Sequence, residues 1–97
     1  MNKKQFLEKF TCEFKMNKKN GLYLSKIDVY NIEYNSLVHT TIMHVESTIN
    51  NTQFLEMEDD GFIFRKREHL KNVVEHYKIS DFNPQNADKS EIESFFM

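Results

Sequence analysis

Between Leu22 and Lys66 apolar and polar residues alternate in short runs divided by turn formers, and this pattern constrains the fold more than any other in the chain. Alternation puts successive side chains on opposite faces of a strand. Leu22, Leu24, Ile27, Val29, Tyr30, Ile32 and Tyr34 alternate in segments, with the parity slipping near Ser25–Lys26 and again at Val29–Tyr30. Such a slip marks a β-bulge, so residues 22–34 read as one long, bent strand. Asn35-Ser36 is the minimal hairpin connection to a returning strand, Leu37 to Ile49, rich in β-branched residues. Asn50-Asn51 suits a tight turn, and Thr52 to Glu58 alternates again. Asp60-Gly61 is a strong hairpin signal, and Phe62 to Lys66 supplies a fourth strand.

The flanks change period. Phe6, Phe10 and Phe14 recur one helical turn apart, which predicts a helix over residues 3–14 with Cys12 away from the aromatic stripe, exposed or at a contact. Phe10, Cys12, Phe14 and Met16 also alternate strictly, so a short helix followed by a strand from Phe10 competes with it. Asn17 to Gly21 then reads as a turn. Leu70, Val73, Val74 and Tyr77 predict an amphipathic helix over residues 67–78. Asp88, three residues before Glu91, has N-cap spacing, and Ile92, Phe95 and Phe96 follow on a short apolar stripe. The expectation is one small α+β domain over residues 1–97. Its four-stranded antiparallel meander is flanked by an N-terminal helix and a C-terminal helix, with a short terminal helix added.

Composition narrows the function classes. Nine Phe, four Tyr and five Met against two Gly and one Pro describe a small, aromatic core. Net charge is −2, which gives no overall drive towards nucleic acid or an anionic membrane. That charge is unevenly spread, with six Lys in residues 1–20 and seven acids in residues 21–60. Cys12 is the only cysteine, so no internal disulfide forms and a reducing compartment fits. The basic start lacks the apolar core of a signal peptide, and no apolar run reaches the ~20 residues of a membrane span. A soluble, cytoplasmic protein without a membrane partner is expected, in the host cytoplasm if a phage or mobile element encodes it. There is no Gly-rich phosphate loop and no nucleophile elbow, so no cofactor is expected. His39 and His44 differ in parity along one strand, and His69 and His76 stand two helical turns apart, so no metal set is read. The chain is expected to be non-enzymatic.

Binding surfaces are easier to name. Glu56, Glu58, Asp59 and Asp60 gather at one hairpin as a candidate acidic patch, with Tyr30 and Tyr34 as aromatic anchors beside it. Arg65, Lys66, Arg67 and Lys71 form a basic cluster that could contact phosphate. In the exit segment Lys89-Ser90-Glu91-Ile92-Glu93-Ser94-Phe95-Phe96, an aliphatic residue precedes paired aromatics. That spacing resembles the peptide that docks on ring-shaped replication clamps, although such motifs begin with Gln where this chain has Lys89. The resemblance implies a docking role for Phe95 and Phe96; the competing reading folds both rings back onto the sheet.

The favoured expectation is a small intracellular inhibitor that binds a protein partner, itself a candidate nucleic-acid-binding protein or complex. In size and style it is similar to phage-encoded antagonists of bacterial defence, such as anti-CRISPR proteins, and to toxin immunity proteins. A homodimer or larger homo-oligomer, and a nucleic-acid-binding regulator, are the alternatives. The hairpin from Leu22 to Ile49 is apolar on both faces, so the N-terminus, the tail or another protein must cover part of it.

Overall fold

A computed structural model of the chain describes residues 1–19, 22–46 and 58–96. The first helix, α1, covers Lys3–Lys9. Asn2 caps it reciprocally: its side chain accepts from the Gln5 N–H at 2.8 Å, and the Gln5 side chain accepts from the Asn2 N–H at 2.9 Å. Phe10 then turns extended and opens β1, Phe10–Lys19. The helix expected over residues 3–14 is therefore cut short, because the alternation from Phe10 prevails. Cys12, which that helix would have left exposed or at a contact, is buried in the core. A strand satisfies the backbone by pairing and brings Cys12 onto the core side with Phe10 and Phe14.

β1 pairs antiparallel with β2, Leu22–Asn31, which pairs antiparallel with β3, Ser36–Glu46. The sheet order is β1-β2-β3. Only one of the two expected slips is present. Val29 faces His39 while Tyr30 faces Leu37, so the extra residue, Val38, lies in β3, and the pairing runs unbroken past Ser25–Lys26. The hairpin turn is wider than Asn35-Ser36 alone: Asn31 pairs with Ser36, and Asn35 takes φ 49°.

The last two expected strands fare differently. Residues 52–57 of the third, like the Asn50-Asn51 turn, lie outside the described residues. The fourth is overturned, because Asp60, Gly61 and Phe62 to Lys66 all belong to helix α2, Glu58–Tyr77. Ile63, Leu70 and Val73 are buried while Phe64 is 55% exposed, which is helical and not two-residue periodicity. Among the described residues the fold is thus α+β with a three-stranded antiparallel sheet. None of the described helices is long and apolar enough to cross a membrane.

After α2 the chain runs through Pro84 to a short helix, α3, Lys89–Glu93, capped as expected by Asp88, whose carboxylate accepts from the Glu91 N–H at 2.9 Å. Arg67 on α2 pins this connector by donating to the carbonyl oxygens of Pro84 and Ala87. One face of the sheet carries the core: Ile27 and Val29 on β2 and Cys12 on β1 meet Leu70 and Val73 of α2, Phe6 of α1, and Ile92 and Phe95 of the tail. The N-terminus, α2 and the tail together therefore cover this face, and among the described residues no helix packs on the opposite one.

α2 ends in a Schellman motif. The Ile79 N–H donates to the Val74 carbonyl at 3.0 Å and the Lys78 N–H to that of Glu75 at 3.4 Å, with Lys78 left-handed at φ 53°. Glycine takes this conformation without the clash between Cβ and the backbone. Lys78→Gly is expected to stabilise the fold by about 0.5–1 kcal/mol, read as a higher urea midpoint at unchanged slope. A lower midpoint contradicts it.

Candidate functional site

Three places gather chemistry, and their exposure decides what each can do. The first is internal. Ser25 on β2 and Thr41 on β3 turn hydroxyls towards α2, where His69 meets both: Ser25 Oγ lies 2.8 Å from Nε2 and Thr41 Oγ1 2.8 Å from Nδ1. A neutral imidazole has one donor and one acceptor nitrogen, and the two hydroxyls satisfy both. Burial holds the His69 pKa below its ordinary 6.5, reinforced by the Arg65 guanidinium nearby, while the Ser25 backbone and the Glu68 carboxylate pull the other way. A serine hydroxyl beside a histidine is the nucleophile–base relation of many hydrolases. Here Ser25 and His69 are both 0% exposed, so no substrate reaches them, and the group locks α2 to the sheet.

The second place is the opposite face of the sheet. Asp28 is buried there because Lys15 and Lys26 fold over it, each with Nζ 3.4 Å from Oδ2, while the Thr40 hydroxyl donates to Oδ1 at 2.9 Å. Burial alone would raise its pKa; the Thr40 bond and the two ammonium groups outweigh it and hold the carboxylate below 3.8. Its two ion pairs thus cover Asp28 on this face. Tyr30 lies on it, half-buried opposite Thr11, and burial raises the pKa of its hydroxyl.

The third place is the outer edge of the β2–β3 hairpin. Around its turn Ile32, Tyr34, Leu37 and Val38 are exposed at 49%, 72%, 55% and 46%. The turn holds itself in shape, since Asn31 Oδ1 accepts from the Tyr34 N–H at 3.1 Å. Along β3 the surface continues into an open groove of about 530 Å³ against α2, lined by His39, Thr41, Ile42, Asn72, Glu75 and His76. The rings of His39 and His76 stack with centroids 4.1 Å apart at 16°, and Tyr77 stands edge-on to both. Burial, then the neighbouring His76, lowers the His39 pKa. Stacked rings direct their lone pairs side by side and not at one point, which is poor geometry for a shared metal. Among the described residues no group of three or more His, Cys, Asp or Glu side chains could hold a metal ion.

The residues singled out from the sequence are scattered by this fold. Tyr34 is exposed on the hairpin turn. Phe95 is 1% exposed, packed on Phe6 and Phe82, so the ring that a docking peptide would present lies in the core. Phe96 is half-buried against Phe14, with Lys66 Nζ 5.2 Å from its ring centre. Glu56 lies outside the described residues, and Glu58, Asp59 and Asp60 open a helix and do not form a hairpin tip. The basic cluster is engaged within the fold. Arg65 is buried against Met43, Lys66 pairs with Glu93 at 3.0 Å, Arg67 pins the connector, and Lys71 pairs with Glu68 at 2.8 Å.

The chain matches no protein-family model, no curated protein and no solved structure. Its own surface therefore carries the functional argument.

Sequence reasoning placed His39 and His76 on separate elements and did not join them. Their partnership depends on which sheet edge α2 lies beside, and no local pattern encodes that. The signal that was available is the uncharged run from Ser36 to Met43, since edge strands ordinarily carry lysine or proline against unwanted pairing.

Proposed function

We propose that this protein binds a protein partner through the β2–β3 hairpin and acts as an inhibitor or sequestering factor. The observation that supports the reading is the apolar group Ile32, Tyr34, Leu37 and Val38, exposed together on a self-braced turn. Exposing such a group costs solubility, and clusters of this kind mark interaction sites. Tyrosine suits a central anchor because it brings a large, stiff, amphipathic surface at low entropic cost.

The test is affinity capture from the cell that makes the protein, comparing the wild type with Tyr34→Ala/Leu37→Asp. Both positions are exposed, so the circular dichroism spectrum and urea midpoint should be unchanged. Loss of an anchor of this kind costs about 2 kcal/mol or more, hence at least about tenfold in affinity. A partner retained equally by both proteins defeats the reading. A second copy of the chain is the alternative occupant of the same surface, and sedimentation velocity of the two proteins distinguishes it.

A further inference from the structure

Resting on that protein-binding reading, we infer that the partner contributes an extended segment of alternating β-branched and basic residues, which adds to the edge of β3 that no described strand pairs and lies along the groove against α2. The sheet order leaves β3 paired on one side alone among the described residues. Every second residue of such an edge directs its N–H and C=O outward, ready to pair with another strand. From Ser36 to Met43 this edge carries no charged residue, so nothing on it repels an incoming backbone. Ile42, 57% exposed, and Leu37 give apolar contact to alternate side chains of the visitor.

Charge complementarity selects the basic character. Glu75 lines the groove and makes no ion pair with a described residue, and Glu33 in the hairpin turn makes none either. Glu93 is answered by Lys66, Glu68 by Lys71 and Glu13 by Lys15, while Glu8 and Glu91 also make no ion pair with a described residue; of the unanswered acids it is Glu75 that lines the groove beside β3. His39 and His76 are the other ionisable groups of the groove, and burial, then the neighbouring His76, lowers the His39 pKa. An incoming lysine or arginine thus meets an unanswered carboxylate there. An acidic segment would face Glu75 with no lysine or arginine in the groove lining.

The experiment uses three synthetic peptides on the full chain at pH 7.5: one alternating Val and Lys, one alternating Val and Glu, and the Val–Lys peptide N-methylated along one edge. Amide chemical shifts and hydrogen exchange of β3 are the readout. The Val–Lys peptide should bind saturably and protect alternate β3 amides. The Val–Glu peptide should bind about tenfold more weakly or worse, and the N-methylated peptide should not bind. Glu75→Lys should reverse the charge preference without changing the unfolding midpoint. No saturable binding, indifference to N-methylation, or indifference to Glu75→Lys overturns the inference. So does finding the alternate amides already protected in the free monomer, or protected only as protein concentration rises. A captured partner that is lost on Tyr34→Ala/Leu37→Asp, yet leaves the β3 amides exchanging freely in the complex, overturns strand addition while the protein-binding reading stands.

Discussion

Phe6→Ala should cost about 3–5 kcal/mol, enough to leave a domain of this size largely unfolded at 37 °C. Phe6 is fully buried, and its ring sits 5.2 Å from Phe10, 5.1 Å from Tyr77 and 5.9 Å from Phe95. One side chain therefore joins α1, β1, the end of α2 and the tail. Truncation forfeits its transfer energy and leaves a cavity bordered by other rings, which are too stiff to collapse into it. Phe6→Leu keeps most of the volume and should cost well under half as much. Urea titration followed by circular dichroism measures both, since the chain has no tryptophan. A loss below about 1 kcal/mol for the alanine variant contradicts the packing described.

The second large effect concerns His69. His69→Leu fills a similar space but removes the partner of two buried hydroxyls, each costing about 1–3 kcal/mol when left unpaired, for a total of about 2–6 kcal/mol. If pairing is the cause, Ser25→Ala/Thr41→Val/His69→Leu removes all the polar atoms at once and should lie within about 1 kcal/mol of the wild type. A triple variant as unstable as the single one would show that shape, not hydrogen bonding, sets the penalty.

The pH dependence gives the same group a second signature. The folded pKa of His69 lies below the unfolded 6.5, so as pH falls through 6.5 the unfolded state takes up the proton first. Stability is therefore full above pH 6.5 and declines below it until the folded pKa is reached. His39 contributes with the same sign, so the triple variant should show a shallower decline and not a flat line. Asp28 adds its own loss, confined to pH below 3.8.

Much of this architecture was legible where periodicity and capping agree. The stripe of Leu70, Val73 and Tyr77 and the Asp88 cap gave their helices directly. The Val29–Tyr30 slip gave a bulge, though on the partner strand. The failures have specific physical causes. Phe6, Phe10 and Phe14 satisfy a helix stripe, but pairing with β2 decides for a strand from Phe10. Asp60-Gly61 is a hairpin dipeptide only when strands flank it; acids at a helix start are equally at home. The candidate surface was less legible. Exposure of Tyr34 follows from turn chemistry, whereas the groove of His39, Glu75 and His76 exists only once α2 has chosen its side of the sheet. Ser25 and Thr41 were polar residues at inward parity, and the histidine that answers them lies far along the chain.

The contact between Phe6 and Phe95 carries a consequence for synthesis on the ribosome. The chain is made from its N-terminus, and the hairpins of β1, β2 and β3 depend on short-range pairing that can form early. The ring that closes their core belongs to residue 95, and the main-chain bond from the Ser80 N–H to the Met1 carbonyl also waits for the second half. Until those residues leave the exit tunnel, the nascent sheet holds Ile27 and Val29 open to water. Chaperone engagement or an upstream translational pause should thus matter most just before release of the tail, and a stalled chain lacking the tail is the form most prone to aggregate.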